Sequence, residues 1–420
     1  MSCAACHTVF PELTSYGRDF KLKGYTAANT EDLKDGSDDT GYRLQMNNAP
    51  PIGAMLQISD TFVKNPASPG ADLGSDNNGN LEFPTQFSFF YAGRISPKMG
   101  AFVQVTYDSA SGAFAMDNTD VRLADSFKLG STDLVLGLTA NNNPTVQDVF
   151  NTIPAWSFPY SGNNSGFGAP GMTQLESLGG NVGGLGGYAF WNDLLYAEIS
   201  AYRSAPQGFG GAAPGSYNAM QGFTPYWRVA LTQDLDKNSI EVGAFGLDEH
   251  AVPNGSARPV GPQDHITDVG FDGQYQFEDK ENIFTLKGSC IWENQVLDYA
   301  NGVAATATNP TNTLQSFKLD ATYYYDRKIG ATVGYFSTFG TADSGLYPTL
   351  DGSGNPSDAA NTPDTEGFIL EANYVPWYNT KFGFQYTYFT KFNGSENNYD
   401  GAGRNASDNN TLMAMAWLMY

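Results

Sequence analysis

The chain has 420 residues and a formal net charge of −22, yet only 16% of its residues are charged, while 14% are aromatic and 47 are glycine. Such an acidic balance excludes a nucleic-acid binder, which needs a basic face for phosphates, and favours cations as partners. No run of about 18 apolar residues occurs, which excludes a transmembrane helix but not a transmembrane barrel, because a barrel hides its apolar face in alternation.

The first element in chain order is Cys3-Ala4-Ala5-Cys6-His7, the C-x-x-C-H pattern of covalent c-type haem attachment. Two thiols at this spacing can each form a thioether to one porphyrin, and the adjacent imidazole is placed to ligate the iron. Only one other cysteine, Cys290, exists in the chain. Two other chemistries use part of the pattern. A zinc half-site needs a fourth ligand, and the other histidines, His250 and His265, lie far away in sequence. A redox C-x-x-C opens a helix after a strand of a βαβ unit, and no strand pattern precedes it. Haem attachment requires export, and no leader is visible. Residue 1 is therefore expected to follow or replace a removed leader.

Residues 1–50 are expected to form a small, partly helical monohaem segment. Phe10, Leu13, Tyr16, Phe20 and Leu22 recur at roughly helical spacing. An Asp/Asn/Gly-rich stretch and Pro50-Pro51 end it. Residues 51–420 read as strand after strand with period-two alternation. In 314–325, Phe317, Leu319, Ala321, Tyr323 and Tyr325 alternate with Lys318, Asp320, Thr322 and Tyr324. In 382–389, Phe382, Phe384, Tyr386 and Tyr388 alternate with Gly383, Gln385 and Thr387. One face is apolar and often aromatic, and the other is polar, small or charged.

A β-sandwich shows the same alternation, but the connections discriminate. Short polar turns are expected near 96–98, 129–131, 192–193, 235–238, 278–281, 326–328 and 376–380. Long Gly/Asn/Asp/Pro-rich segments fall between them, near 64–85, 109–118, 143–181, 205–224, 250–264, 298–312, 341–363 and 392–410. Strict alternation of short and long connections over about 16 strands is the layout of an outer-membrane barrel, with short periplasmic turns and long external loops. The last strand, Thr411 to Tyr420, ends on an aromatic, as the C-terminal assembly signals of outer-membrane proteins do. The fold class is thus all-β: a transmembrane antiparallel barrel in a bacterial outer membrane. Arg94, Arg122, Glu198, Arg228, Glu241, Asp268, Asp272, Lys287, Glu293, Lys318, Asp320 and Glu371 carry the parity of its lumen face.

A segment of about 45 residues cannot cover a haem and form a core alone. A barrel of about 16 strands has a lumen wide enough for a plug. The N-terminal segment is therefore expected in, or at the periplasmic mouth of, the barrel. Its sequence, Cys3-x-x-Cys6-His7 followed by Phe10-Pro11-x-Leu13-x-x-x-Gly17-Arg18-x-Phe20-Lys21-x-x-Gly24-Tyr25, resembles the start of the fused outer-membrane cytochrome–porins, monohaem proteins implicated in iron(II) oxidation by iron-oxidising bacteria. The resemblance implies one covalent haem c, an outer-membrane location and electron uptake from extracellular Fe(II). It makes Cys3 and Cys6 thioether sites, His7 an axial ligand, and Phe10, Pro11, Leu13, Phe20 and Tyr25 haem-packing positions.

Met46 is the nearest methionine that could supply the second axial ligand, and His250 and His265 are further candidates. Asp72, Asp76, Asp343, Asp351, Asp358, Asp364, Glu396, Asp400 and Asp408 give acidic outer loops suited to concentrating divalent cations. The expected function is an outer-membrane electron conduit, with Fe(II):cytochrome c oxidoreductase-like transfer. Its partners are outer-membrane lipid, extracellular Fe(II) or another donor, and a periplasmic c-type cytochrome. The alternatives are a diffusion porin with a structural or sensory haem segment, or electron export to an external acceptor.

Overall fold

The computed structural model describes residues 3–26, 50–65, 79, 81–108, 112–153, 155, 157–162, 172–205, 218–253, 260–349 and 360–420. One antiparallel sheet closes on itself. Its strands are β1 (Ile52–Val63), β2 (Leu81–Ser96), β3 (Met99–Asp108), β4 (Ala113–Leu129), β5 (Thr132–Asn141), β6 (Val182–Trp191), β7 (Leu195–Ser204), β8 (Ala219–Met220), β9 (Thr224–Leu235), β10 (Asn238–Val252), β11 (Asp264–Glu278), β12 (Asn282–Leu297), β13 (Thr311–Tyr325), β14 (Ile329–Gly340), β15 (Thr365–Trp377), β16 (Thr380–Lys391) and β17 (Thr411–Met419). The two-residue β8 aside, sixteen long strands remain. Closure is made by β1 against β17, in register from Met55↔Met419 to Val63↔Thr411. Both ends of the barrel chain therefore lie on the short-turn side, as an even strand count requires.

The strands follow from their composition: β-branched and aromatic residues alternate with polar ones, and successive side chains point to opposite faces. Leu138, Leu185, Ile199, Val242, Phe271 and Phe384 are exposed on the outer face, where lipid meets them. Tyr325, Tyr374 and Trp377 form an exposed aromatic group toward the short-turn end, and Phe223, Trp227 and Trp292 another toward the long-loop end. These are the two interfacial girdles of a transmembrane barrel. Among the described residues no helix is long and apolar enough to cross a membrane; strands do the crossing. The short turns use left-handed backbone at Asn192-Asp193 and Asp326-Arg327, the conformation that matches hairpin twist.

Two departures from the sequence reading stand out. Residues 113–118 were expected in a loop, but they pair in β4, with a register shift opposite Val103 and Val105. The connection near 143–181 was expected outside, but its described residues, 143–153, 155, 157–162 and 172–181, fold into the lumen. Its short helix α3 (Gln174–Ser177) meets the wall: Leu175 N donates to Asp268 Oδ2 at 2.8 Å and Gln174 N to Glu293. Lys318 Nζ is 2.9 Å from Glu176 Oε1. Ile153, Leu175 and Leu178 join Tyr202, Tyr226 and Phe245 in the largest apolar cluster. A loop with this many apolar and charged residues gains more by burying them against complementary inward groups than by staying in water.

Inward parity holds for the charged set. Arg122, Glu198, Arg228, Glu241, Asp268, Asp272, Lys287, Glu293, Asp320 and Glu371 are all buried, while Arg94 and Lys318 are half-buried. They are not a solvated pore lining as a group, because the N-terminal segment and the 142–181 connection lie against them.

Candidate functional site

The N-terminal segment is built from α1 (Cys3–Cys6), a turn through residues 7–14 and α2 (Ser15–Leu22). Cys3 and Cys6 are the first and last residues of the one-turn helix α1. Helical periodicity had suggested helix through Phe10 and Leu13. Instead Pro11 lacks an N–H, and residues 7–13 close a bridge between His7 and Leu13. Thr14 caps α2 by accepting from Gly17 N at 3.1 Å, and its hydroxyl donates to Ala5 O at 2.8 Å. That bond and Thr14 N to Cys6 O, 2.9 Å, tie α2 to α1.

His7 is the centre of this arrangement. Its Nδ1 donates to the carbonyl of Pro11 at 3.1 Å. That bond selects the tautomer whose lone pair is on Nε2, as metal-ligating imidazoles require. Burial pushes the imidazole below its ordinary value, against the opposing pull of the Pro11 and Glu12 backbone, so the ring is the neutral form a metal accepts. Phe10 packs on it, with centroids 4.5 Å apart, and Tyr378 packs on Phe10 at 5.7 Å. Tyr378 donates to His7 O, and Arg327 Nη1 donates to Thr8 O at 2.9 Å. Both come from short-turn ends of the barrel, which places His7 at the periplasmic mouth.

From there the segment crosses the lumen. Glu12 accepts from Thr285 Oγ1 at 2.9 Å and from Tyr160 OH at 3.1 Å. Arg18 reaches Gln276 at 2.9 Å and Ser239 at 2.6 Å. Lys21 Nζ donates to Asp148 O at 2.7 Å. Burial, with the Arg122 guanidinium nearby, pushes the Lys21 ammonium down to about 7. Arg122 binds Asp120 Oδ2 at 2.6 Å, Lys21 O at 3.1 Å and Gln147 O at 3.2 Å. One wall residue thus holds both lumen segments. Tyr25 ends the crossing, donating to Asp120 at 2.7 Å.

Of the sequence-predicted residues, the structure brings together Cys6, His7, Phe10, Pro11 and Leu13. Phe20 and Tyr25 sit at the other end of the segment, ring to ring at 5.7 Å, with Tyr25 against Phe102 and Arg122. Met46 lies outside the described residues. His250 and His265 are on the outer face of the sheet, so neither serves as an axial ligand from the lumen. Among the acidic loop residues, Asp72, Asp76, Asp351 and Asp358 lie outside the described residues. Asp343 accepts N–H bonds from Thr308, Asn309, Gly345 and Leu346, which hold its carboxyl well below the usual carboxylate range. Asp400 and Asp408 accept backbone N–H groups of their own loop. These three carboxylates order loops. Sequence reasoning missed Glu12, Arg18 and Lys21 as anchors, because their partners are more than a hundred residues away.

The donor set fits a haem c: a C-x-x-C helical turn, a half-buried neutral imidazole with its second nitrogen fixed, and aromatic cover from Phe10. Gly17 makes the α1–α2 contact possible, since a Cβ there would fall inside van der Waals contact of Cys6 O. Gly17→Val is therefore expected to lever α2 off α1. Limited proteolysis should then cut within residues 3–26, while the barrel keeps its heat-modifiable mobility on electrophoresis.

No protein-family model matches the sequence, and no curated protein matches it. Solved structures do. An anion-selective porin from Comamonas acidovorans is similar at 11% identity and TM-score 0.51, over 89% of this chain and 99% of that one. OmpF of Salmonella typhi, solved in complex with daunomycin, is similar at 12% identity and TM-score 0.49, over 88% and 97%. OmpT of Vibrio cholerae gives 10% and 0.45, over 88% and 96%. The fold is a closed antiparallel sixteen-stranded barrel of the porin kind, and the protein belongs in a bacterial outer membrane.

Proposed function

We propose that this protein moves electrons across the outer membrane, from an extracellular donor, Fe(II) first among them, to a periplasmic c-type cytochrome. The observation that carries the reading is the set of Cys3, Cys6 and His7, with His7 Nδ1 tied to Pro11 O, in a segment anchored across a barrel lumen. When bound there, haem c supplies a one-electron couple whose potential depends on the second axial ligand. The other residues position and seal. Arg327 and Tyr378 fix the backbone at Thr8 and His7, Phe10 shields the imidazole, and Arg18, Lys21 and Arg122 lock the segment to the wall. Outer-sphere transfer needs proximity and a suitable potential, not an acid–base pair. The chain resembles the fused cytochrome–porins in this segment, and that resemblance supports Fe(II) as donor.

A second reading is a diffusion porin with a structural or sensory haem segment. The fold likeness favours it, since an anion-selective porin shares the architecture. It predicts ion conductance through the lumen, whereas the conduit predicts little.

The test is stopped-flow absorbance of the purified, oxidised protein mixed with Fe(II). The haem bands are expected to reduce rapidly, and this response is expected to be lost in His7→Ala, which retains both thioether cysteines. Haem that reduces with dithionite but not with Fe(II) would remove iron as the donor.

A further inference from the structure

On the outer face of the barrel, at the long-loop ends of β10 and β11, two histidines and an aspartate meet. His250 and His265 are directly opposed across the two strands. Their rings stack at 4.1 Å with planes 9° apart. Asp248 lies on the same face. Its Oδ2 is 3.0 Å from His265 Nε2, and its Oδ1 is 3.9 Å from His250 Nε2. Thr267 Oγ1 lies 3.3 Å from Asp248 Oδ2 and 3.4 Å from His265 Nε2. One ligand atom from each of the three residues falls within 4.8 Å of the others.

Position along the strands places the cluster. Trp227 is paired with Gly246, and Trp292 with Val269. Asp248, His250, His265 and Thr267 lie beyond that tryptophan level, toward the loops. About 3.3 Å per residue sets them just above the outer girdle, in the headgroup zone and out of the hydrocarbon. Their cross-strand neighbours on this face, Asn294 and Val296, carry no charge.

We propose that Asp248, His250 and His265 bind one divalent transition-metal ion on the outer wall of the barrel. Two imidazoles and one carboxylate form the donor set preferred by borderline ions such as Fe(II), Ni(II) and Zn(II), in contrast to the all-oxygen sets of Ca(II) and Mg(II). The spacing agrees. Ligands each ~2.1 Å from a common ion are ~3 Å apart when adjacent and up to ~4.2 Å apart when opposed. One carboxylate oxygen lies 3.0 Å from His265 Nε2 and the other 3.9 Å from His250 Nε2, and the three ligand atoms lie within 4.8 Å of one another, so small side-chain rotations bring them to these separations. His265 Nε2 and Asp248 Oδ2, now bonded to each other, would exchange that bond for the ion. Three protein ligands leave further positions for water. The sheet separates this site from His7, so the proposal stands apart from the electron-transfer reading.

The experiment is calorimetric titration of the full-length, detergent-solubilised protein with Ni(II), in excess Ca(II) to occupy oxygen-only sites on the loops. The expected result is one Ni(II) bound per chain. In His250→Ala/His265→Ala, affinity falls at least about tenfold, since even outer-shell partners produce losses of that size. Asp248→Asn weakens binding as well. His7 is common to wild type and variants, so it cannot account for the difference. All the substitutions are on an exposed face, and heat-modifiable mobility confirms that the barrel has formed; His265→Gln serves as a milder second variant. Absence of saturable Ni(II) binding in the wild type, or unchanged binding in the double variant, overturns the proposal.

Discussion

Arg228→Ala is expected to destabilise the folded barrel by about 3–5 kcal/mol, the penalty for leaving buried carboxylates without their cation. Arg228 is 1% exposed. Its Nη2 lies 2.8 Å from Asp272 Oδ2, 2.9 Å from Glu241 Oε1 and 3.4 Å from Asp148 Oδ1. Two of these carboxylates are on the wall, and the third is on the 142–181 connection. Within that connection Asp148 also accepts N–H bonds from Phe150 and Thr152 at 2.9 Å. Removing the guanidinium leaves like charges facing one another, so the lumen connection is expelled toward water before the strands separate. Urea unfolding in lipid, followed by tryptophan fluorescence, should show the loss as a lower midpoint. Arg228→Lys keeps the charge but not the two-pronged grip on Asp272, and should fall between. A loss under about 1 kcal/mol, the range of an exposed pair, would mean that water already reaches this cluster.

Deleting residues 1–26 is expected to raise the ion conductance of the barrel. The segment occupies the lumen through Glu12, Arg18 and Lys21, and each of these is buried. Their wall partners, Thr285, Gln276, Ser239 and Arg122, are strand residues, so the sheet persists and water replaces the segment. The barrel's own closure, β1 against β17, begins at Met55 and is untouched. Planar-bilayer recording is the direct comparison. Equal conductance from the deleted and intact chains would show that the N-terminal segment does not control passage, and would favour the diffusion-porin reading.

The barrel was legible because its signal is local and repeated. Alternation in 314–325 and 382–389 survives in the structure residue for residue, and the short turns fall where polar pairs interrupt it. Residues 113–118 were misread because Asp117 and Asn118 look like turn residues. Tertiary partners override that preference: Thr106 donates to Asp117 at 2.9 Å. The 142–181 connection was misread for the same reason at larger scale. Its Gly, Asn and Pro content describes an external loop, and wall groups distant in sequence, Arg228, Asp268, Glu293 and Lys318 among them, draw it inside. The candidate haem motif was legible because its chemistry sits in five consecutive residues. The Asp248, His250 and His265 cluster was not, because it exists only once strand register sets His250 opposite His265. As separate letters, the two histidines read as loop residues or distant axial candidates.

The most direct measurement is covalent haem on the polypeptide. The protein is purified from outer membranes of cells that attach haem c, denatured, separated by electrophoresis and read for haem absorbance on the band. The account predicts one haem per chain that stays with the denatured polypeptide and is lost in Cys3→Ser/Cys6→Ser. A folded barrel with both cysteines intact and no covalent haem would contradict it.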